Sequence, residues 1–510
     1  MNNIHFENEI KEIHRFLSSV NKSAYKDIFL IANPVLSKNP YTSNYLDYFL
    51  NKNCPKNISF HGRTWKLTKY YIKSLAHFGM YLLRFFIFYL SSVSFRFNHD
   101  RNELVLVDVF FMVEKIDEAR YFRDTFFPGL EKLLINGKKN YAYLPFFYAS
   151  SYNKNPFEFQ RCLAILRNGK IPMLTEYQLL SGRDLVRLFH FLIVYPFRVL
   201  RFAKTLNNGE YPSKLLKYEL VNTIENVTFH NFSRFLQGRR IAALPYDRIK
   251  VISWYENQPI HKYLYKGLKT GSCDKVKIYG AQLFLCSNRM LNLIPDENEI
   301  DCGLLPDKII VNGPHYVCEG TKLNYSVGPS FRYAGMFDIA IKEELRKNVL
   351  VLLPYFIEDA RNILQVLLGS KFALQKIFIK AHPATPLDSI KQFIPSNAVV
   401  VEKGIYQLLE TTKIVIGAAS GTMIEAASIG IPVISIKNGK RFEWNNPLPE
   451  YGKGIIWEEA VNAEGLDHQI ERFEKKLKEC PKEINEVAAR YKEMFFCRPT
   501  DENIIKAFEL

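Results

Sequence analysis

Residues 413–436 read KIVIGAASGTMIEAASIGIPVISI, and the order of apolar and small residues in this stretch decides the fold class. An apolar run ends at Gly417, four small residues follow, and a helical pattern begins at Thr422. A second apolar run, 432–436, completes a strand–helix–strand unit. Because a helix that connects two neighbouring strands in this way makes them parallel, the stretch predicts a parallel α/β sheet.

The same alternation extends through the C-terminal third of the chain. The predicted strands are 348–354, 376–380, 398–401, 413–416 and 432–436, and the predicted helices are 357–368, 388–393, 405–410, 422–429 and a charged segment at 464–494. This pattern favours one Rossmann-like domain with helices around a parallel sheet.

Further apolar strand candidates lie in the N-terminal two thirds, at 28–32, 104–109, 141–147, 250–254, 275–278 and 308–311. Long helical segments interrupt them, and the charged stretch IKEELRKN at 341–348 precedes the new sheet. We predict an α/β protein of two Rossmann-like domains. The first spans 1–335 with insertions at about 61–101 and 181–217, and the second spans 336–510.

The loop at 418–421 (AASG) and the helix after it predict a ligand site. Small side chains let a ligand approach the backbone, and the start of a helix attracts phosphate. Thr422 and Glu425 have the spacing of a capping box. In an alternative role, Glu425 would hydrogen-bond ribose hydroxyls of the ligand. A purely structural reading remains open, in which Glu425 only caps the helix and the glycines only form a tight turn.

A second candidate site is Lys380-Ala381-His382-Pro383, which follows the strand 376–380. Open parallel sheets bind ligands at the carboxyl ends of their strands, and a lysine and a histidine there neutralise phosphate. The alternative is a surface lysine beside a histidine that only caps a loop. The sequence contains no DxD, GxGxxG, Walker A, HExxH or GxSxG motif, so we predict no metal site, no dinucleotide fingerprint and no serine nucleophile elbow.

The formal net charge of +16 is unevenly distributed. Residues 349–510 contain 20 Lys/Arg and 21 Asp/Glu, so the preceding 348 residues carry a net charge of +17. A basic surface of this size favours nucleic acid, an anionic membrane surface or a phosphorylated ligand as partner.

Two stretches, 61–101 and 181–217, together supply +11 of this +17. Each contains an aromatic-rich helical segment, at 75–95 and at 182–204. At about 100° per residue, basic side chains cluster on one face of each, opposite aliphatic and aromatic residues. This pattern is typical of helices that lie in a membrane interface, and it argues against nucleic acid. The predicted membrane contacts are Lys66, Lys73, Arg84, Arg187, Arg198 and Arg201. One alternative is that both segments are core helices whose basic side chains snorkel to the surface. The other is a membrane-spanning helix, with which a central arginine is less compatible. We also expect Pro196 to kink or interrupt its helix.

Eight cysteines are scattered without CxxC spacing, which indicates reduced thiols in a cytosolic protein. The N-terminal residues mix charges and have no apolar core, so they do not resemble a secretory signal. We therefore expect a cytoplasmic protein, peripheral on the inner face of the plasma membrane.

KAHP at 380–383 together with GAASGTMIEAASIGIPVIS at 417–435 resembles the donor domain of GT-B glycosyltransferases, over about 110 residues. More narrowly, the pair of motifs is similar to that of bacterial transferases that build capsule, O-antigen, lipopolysaccharide and related surface polysaccharides. The resemblance implies a GT-B fold and metal-independent transfer from a nucleotide sugar, with no other cofactor. It further implies that the donor is held by residues of both motifs, namely Lys380, His382, Pro383, Gly417, Ser420, Gly421, Thr422 and Glu425, with His382 also catalytic.

A weaker echo of these transferases lies at Trp254–Leu268 (WYENQPIHKYLYKGL) and at 308–332. It implies that Glu256 is the general base or an acceptor ligand and that Arg332 pairs with donor phosphate. The structural alternatives are a helix N-terminal carboxylate and a boundary salt bridge. Such families carry a histidine near the position of Gln282, whereas here Ala281 precedes it, which permits an inactive acceptor site.

The resulting hypothesis is a glycosyltransferase that moves a sugar from a CMP-, UDP- or CDP-linked donor to a glycan or lipid-linked acceptor. The rival hypotheses are a CDP-polyol phosphotransferase, a nucleotide-sugar 2-epimerase and a non-catalytic scaffold in a polysaccharide assembly complex. The sequence leaves the sugar, the acceptor, the stereochemical outcome and the oligomeric state open.

Overall fold

The computed structural model describes residues 3–50, 52, 58–91, 102–148, 156–207, 209–271, 274–287, 289–339, 344, 346–382, 385, 387–438 and 445–510. The chain divides into two compact units. Unit 1 comprises Met1–Gln282, Leu291–Ile310 and Cys318–Ser326, and unit 2 comprises Leu283–Met290, Val311–Val317 and Val327–Leu510. The described cysteines Cys162, Cys286, Cys302, Cys318, Cys480 and Cys497 are free.

Unit 1 is built around a sheet whose strands are β1 (Glu103–Met112), β2 (Tyr141–Tyr148), β3 (Arg248–Trp254), β4 (Val276–Ala281), β5 (Lys308–Val311) and β6 (Tyr325–Val327). Its helices are α1 (Asn3–Ala24), α2 (Tyr45–Leu50), α3 (Phe60–Leu90), α4 (Val113–Ala119), α5 (Leu130–Asn136), α6 (Pro156–Asn168), α7 (Glu176–Leu179), α8 (Gly182–Thr205), α9 (Tyr211–Asn222), α10 (Phe229–Ala242), α11 (Pro259–Lys269) and α12 (Glu297–Asp301). The strand order is β2-β1-β3-β4-β5-β6, and strands β1 to β5 are parallel. In a sheet of this order the direction of winding reverses between β1 and β3.

Unit 2 contains a second sheet, formed by β7 (Asn348–Leu353), β8 (Ile377–Ala381), β9 (Ala398–Val400), β10 (Thr412–Gly417), β11 (Val433–Ile436) and β12 (Trp457–Ala460). Its helices are α13 (Ile357–Leu368), α14 (Ile405–Leu409), α15 (Thr422–Ala427), α16 (Ala463–Glu479), α17 (Pro481–Phe495) and α18 (Asp501–Phe508). The order β9-β8-β7-β10-β11-β12 is 3-2-1-4-5-6 when the strands are counted along the chain. This is a doubly wound parallel sheet whose winding reverses between β7 and β10.

The predicted fold class, two Rossmann-like α/β domains, is confirmed by these two sheets. The apolar runs form strands because a strand covered on both faces buries its side chains. In β10, five of the six residues are buried. In unit 2 one core joins the sheet to α13 and α16 through residues such as Val351, Ile363, Ile416 and Phe473.

Several local predictions are wrong. The run 28–32 is not a strand but contains a buried 3₁₀ helix, Leu30–Ala32, and the predicted helix 388–393 consists of two short 3₁₀ turns. Pro196 does not interrupt α8, which continues from Gly182 to Thr205. The strands β6 and β12 were not predicted, since neither has a long apolar run.

Within the described residues, no helix is both long enough and apolar enough to cross a membrane.

Candidate functional site

The predicted site residues of unit 2 lie at the carboxyl edge of its sheet. β7 and β10, between which the winding reverses, end at Leu353 and Gly417, and β8 beside β7 ends at Ala381. A crevice forms at such a point because the connections on either side lead to opposite faces of the sheet. His382 and the loop 418–421 follow directly from two of these strand ends, so both predicted motifs reach the same edge.

The loop after β10 differs in detail from the prediction. The N-cap of α15 is Gly421 rather than Thr422, and the Ser420 hydroxyl accepts a hydrogen bond from the Thr422 N–H at 3.3 Å. The prediction of a capping box formed by Thr422 and Glu425 is therefore wrong. Ala419 has a left-handed backbone with a φ of 52°, which bends the chain sharply between strand and helix.

Two glycines of this region lie close to neighbouring side chains. A Cβ on Gly417 would lie 3.3 Å from the Cβ of Leu352 on β7, and one on Gly421 would lie 3.2 Å from the Cβ of Leu285. Both glycines therefore permit close packing inside unit 2. Ser420 and Thr422 are half-buried at the edge of the sheet.

Glu425 lies beneath this loop with 4% of its surface exposed. Its carboxylate is hydrogen-bonded by the side chains of Tyr406 and Thr422. Burial raises the pKa of Glu425 above its ordinary value, and the two hydrogen bonds and the charge of Arg332 oppose that rise. The carboxylate is thus held inside the unit by a phenol and a hydroxyl, near a cation.

His382 is exposed at the end of β8, and its backbone N–H donates to Leu353 O at 3.0 Å. Its ring meets that of Tyr355 edge-on, with 5.5 Å between centroids. Partial burial and then the charge of Arg332 lower the pKa of His382, so the imidazole is neutral near pH 7. The charge of Arg332 lowers the pKa of both His382 and Glu425, and the Arg332 backbone carbonyl lies 3.4 Å from the Tyr406 hydroxyl.

Lys380, at the end of β8, is bound to a neighbouring loop. The Lys380 ammonium donates to the backbone carbonyl of Lys403 at 2.8 Å, which ties the end of β8 to the loop after β9. Pro383 lies outside the described residues.

Tyr406 and Tyr333 belong to this site but were not predicted. Tyr406 lies on the short helix α14, and a Cβ on Gly335 would lie only 2.6 Å from its ring, so the glycine makes room for the phenol. The Tyr333 hydroxyl accepts a hydrogen bond from the N–H of Leu285 at 2.9 Å, and burial, followed by the Glu425 charge, raises the pKa of Tyr333. Neither tyrosine has a motif around it in the sequence.

A small pocket beside the same loop has a strongly polar wall that was also not predicted. Asp359, Asn362, Asn445 and Asn446 line it together with Ala418 and Ala419. The Asn446 amide donates to the Ser435 hydroxyl at 3.3 Å. The pocket has room for about one water molecule, and the Asn438 amide donates to the Asp359 carboxylate at 3.1 Å, so these groups form a polar border of the loop.

Glu256 lies in unit 1, directly after β3 and beside the point where the winding of that sheet reverses. Its carboxylate accepts a hydrogen bond from the Gln258 amide at 2.6 Å, and the Asn292 amide donates to its backbone carbonyl at 3.0 Å. Asn257 follows with a left-handed φ of 50°.

A buried ion pair fixes this turn. The Lys262 ammonium lies 2.8 Å from both the Glu299 carboxylate and the Asn257 side-chain oxygen, and the Asn257 amide donates to Glu299 at 3.0 Å. Lys262 and Glu299 are both fully buried, and burial lowers the pKa of Lys262 while Glu299 opposes that change. The triad therefore holds the unusual backbone that presents Glu256.

The predicted membrane contacts are distributed over α3 and α8. Lys73 and Arg201 are exposed, as are Arg187 and Arg198, which pair with Asp184 and Asp27. Lys66 lies 3.9 Å from Glu225 and donates to Asn222 O.

The prediction that Arg84 contacts the membrane is wrong, because its side chain is buried. Only 2% of its surface is exposed, and its guanidinium lies 5.0 Å from the ring centroid of Phe159 on α6. The polar stripe of α3 therefore turns into the protein at this point, and Arg84 is not a membrane contact.

No cluster of three His, Cys, Asp or Glu side chains able to hold a metal ion occurs in the described part of the chain.

Comparisons with known proteins give similarity at the level of fold alone. No family model matches the chain, and no curated protein matches it at a significant level. Solved structures similar to it include Acinetobacter baumannii MurG, with 9% identity and a TM-score of 0.41 over 80% of this chain and 99% of that one. The UDP-GlcNAc 2-epimerase of Neisseria meningitidis, bound to UDP-GlcNAc, gives 12% and 0.37 over 79% and 99%. A glycosyltransferase of Rickettsia africae gives 12% and 0.41 over 81% and 98%.

Proposed function

We propose that the protein is a GT-B glycosyltransferase that moves a sugar from a nucleotide-activated donor to a glycan or lipid-linked acceptor in bacterial surface polysaccharide synthesis. One observation carries the proposal. In unit 2 His382 and the loop 418–421, which belong to the two motifs that resemble a donor site, follow the ends of β8 and β10 at the same edge of the sheet, where its winding reverses.

The arrangement suits a phosphate leaving group. Arg332 is exposed, and its guanidinium is a strong partner for phosphate oxygens. His382, neutral near pH 7, is able to donate one hydrogen bond without adding charge. Together with Ser420 and Thr422 at the loop edge, these groups would stabilise the nucleotide phosphate as it departs.

The reaction we assign breaks the bond between the sugar C1 and the donor phosphate oxygen and forms one between C1 and an acceptor hydroxyl oxygen. The hydroxyl proton passes to a carboxylate, for which Glu256 is the candidate base. The nucleotide leaves with the electron pair of the broken bond. We assign the stabilisation of that charge to Arg332 and Lys380, and we name CMP-, UDP- and CDP-linked sugars as donor classes.

The test is thermal shift of the full chain with CMP, CDP, UDP, GDP and TDP, since a ligand that binds the folded state raises the melting temperature. We expect one nucleotide to stabilise the wild type, and His382→Ala and Arg332→Ala to reduce its affinity at least about tenfold. Matched controls are His468→Ala on α16 and Arg490→Ala on α17, both exposed in unit 2. No response to any nucleotide, or a full response in both site variants, would overturn the proposal.

The released product separates the proposal from its rivals. A glycosyltransferase releases the donor nucleotide and leaves no phosphate in the new linkage. Transfer that leaves phosphate in the product and releases CMP would identify a polyol phosphotransferase, and conversion of the sugar nucleotide without any acceptor would identify an epimerase.

A further inference from the structure

Helix α3 exposes a long apolar face in unit 1. Ile72, Phe86, Tyr89 and Leu90 have between 58% and 81% of their surfaces exposed, and Trp65 at the other end of the helix has 59%. The opposite side packs into the protein, where Tyr81 donates to the Glu176 carboxylate at 2.7 Å. With 31 residues at about 1.5 Å each, the helix is about 46 Å long, so the exposed face extends far beyond one side chain.

Helix α8 exposes a second apolar stripe formed by Val186, Phe189, Ile193 and Phe197. Their spacing of three and four residues places them within about 80° on the helix surface, at about 100° per residue. The buried side of α8 carries residues such as Leu188, Phe191 and Tyr195.

The two stripes adjoin each other. The hydroxyls of Tyr70 and Tyr71 donate to Leu192 O and Ile193 O, both at 2.9 Å, and the rings of Phe78 and Phe189 lie 5.7 Å apart. Later residues of α3 meet earlier residues of α8, so the helices run antiparallel. We call their combined exposed surface the α3/α8 face. An apolar surface of this extent marks an interaction site in a protein.

The charge around the α3/α8 face indicates what kind of partner binds there. Helix α3 contains five Lys/Arg and no Asp or Glu, and α8 contains five Lys/Arg and one Asp. Apart from the buried Arg84, basic side chains such as Lys73, Arg187 and Arg201 lie along one border of the apolar stripes. Apolar and aromatic residues bordered by cations match the two layers of an anionic bilayer surface, acyl chains below and phosphate headgroups above.

We infer that the α3/α8 face docks on an anionic lipid bilayer, with its apolar side chains among the lipids and its basic border against the headgroups. Of the basic contacts predicted from the sequence, Lys73, Arg187 and Arg201 belong to this border, and the exposed apolar residues of the two helices supply the part that enters the lipid. Docking on the anionic inner face of a plasma membrane would hold the protein there as a peripheral protein. The inference does not depend on the proposed transfer activity.

The test is flotation of the full chain with vesicles of phosphatidylcholine alone or mixed with phosphatidylglycerol. We expect binding to the anionic vesicles only, weakened by salt. The quadruple variant Phe86→Ser, Tyr89→Ser, Val186→Ser, Phe197→Ser should lower the bound fraction at least about tenfold. Its control is Tyr121→Ser with Ile135→Ser, two exposed apolar residues of unit 1 that lie on neither helix and should leave binding unchanged.

A second pair of variants tests the charge and guards against misfolding. Lys73→Glu with Arg201→Glu should also release the protein from anionic vesicles, whereas Lys115→Glu with Lys132→Glu, exposed on α4 and α5, should not. Full binding by either face variant, or no binding by the wild type, overturns the inference. So does a wild-type dimer without lipid affinity that the apolar variant converts to monomer, since the face is then covered by a second copy.

The nucleotide thermal shift, measured on the same variants, keeps the two proposals apart. We expect it to remain unchanged when lipid binding is lost. Lipid binding without any nucleotide response would leave the docking face standing and reject the donor site, and the reverse result would reject only the docking face.

Discussion

The Tyr406 side chain is hydrogen-bonded to the Glu425 carboxylate inside unit 2. The phenol comes from α14 and the carboxylate from α15, so this bond joins the two short helices that follow β9 and β10. The Glu425 charge helps to raise the pKa of Tyr406, after burial, and the phenol in return lowers that of Glu425. The pair therefore holds a buried acid at the edge where we place the donor.

Glu425→Gln should weaken the nucleotide response, because it changes the hydrogen-bond partner of Tyr406 and Thr422 beneath the loop 418–421. It should also make unit 2 relatively more stable as the pH rises. The folded-state pKa of Glu425 is raised, so above the ordinary value of 4.5 the unfolded chain loses this proton first and wild-type stability falls until the folded group also ionises. Glutamine lacks that penalty. We would measure melting temperatures at about pH 4.5 and about pH 7.5.

The control for this change is Glu410→Gln, an exposed glutamate at the end of α14. It should follow the wild type at both pH values and keep the nucleotide response. A Glu425→Gln protein with the pH dependence of the wild type would contradict the assigned pKa shift.

Gly267→Ala should destabilise unit 1 by at least about 2 kcal/mol, because overpacking of a close contact forces the backbones apart. A Cβ on Gly267 of α11 would lie 2.2 Å from the carbonyl oxygen of Phe235, and one on Gly238 of α10 would lie 2.5 Å from that of Leu264. Rigid backbone atoms, rather than flexible side chains, occupy the space. Urea denaturation would measure the loss.

Gly79→Ala is the matched control for the helix crossing. Gly79 also lies inside a helix, α3, but nothing stands within 4 Å of its Cβ position. Alanine there should raise the free energy of unfolding by about 0.5–1 kcal/mol, since it restricts the unfolded chain and favours helix. Equal losses in the two variants would mean that the crossing is not tightly packed.

The sequence predicted the strands well where burial leaves little choice. A parallel strand covered on both faces must be apolar throughout, which is why β1, β3 and β10 were found within a few residues. The run 28–32 is equally apolar but lies outside the sheet, as a buried 3₁₀ turn. Burial alone therefore does not distinguish a strand from a core turn.

Periodicity has a similar limit in α3. It groups Lys73 and Arg84 on related faces, but it does not say which face turns inward. The buried Arg84 guanidinium packs over the ring of Phe159. Phe159 belongs to α6 and comes 75 residues later in the chain. The same holds for Tyr406, whose link to Glu425 depends on the packing of α14 beside α15 and not on any local motif.

His230 should make unit 1 lose stability as the solution becomes acidic. Burial, followed by the charges of His77 and Arg84, lowers its pKa from 6.5 to about 3. Between these values the unfolded chain binds a proton that the folded protein does not, so stability is complete above about pH 6.5 and falls as the pH decreases, by at most about 1.4 kcal/mol per pH unit. Urea denaturation of wild type and His230→Gln from pH 7 to pH 5 would reveal a shallower slope in the variant.

The comparison needs a histidine whose side chain is exposed. His468→Gln, exposed on α16 in unit 2, should leave the slope as in the wild type. If His230→Gln also leaves it unchanged, other groups cause the acid sensitivity of unit 1.

Lys262→Met should cost about 3–5 kcal/mol of unfolding free energy, because it leaves the fully buried Glu299 carboxylate without its cation. Lys262→Met with Glu299→Leu should cost less than that single change, since no charge is then buried alone. It should not restore the wild type, because the buried Asn257 amide loses both partners, a penalty of about 1–3 kcal/mol. A double-mutant cycle by urea denaturation would give the coupling, and additive losses would contradict it. The double variant also tests the turn at Glu256: if the triad holds its left-handed backbone, sugar transfer should fall in the double variant while the nucleotide response of unit 2 remains.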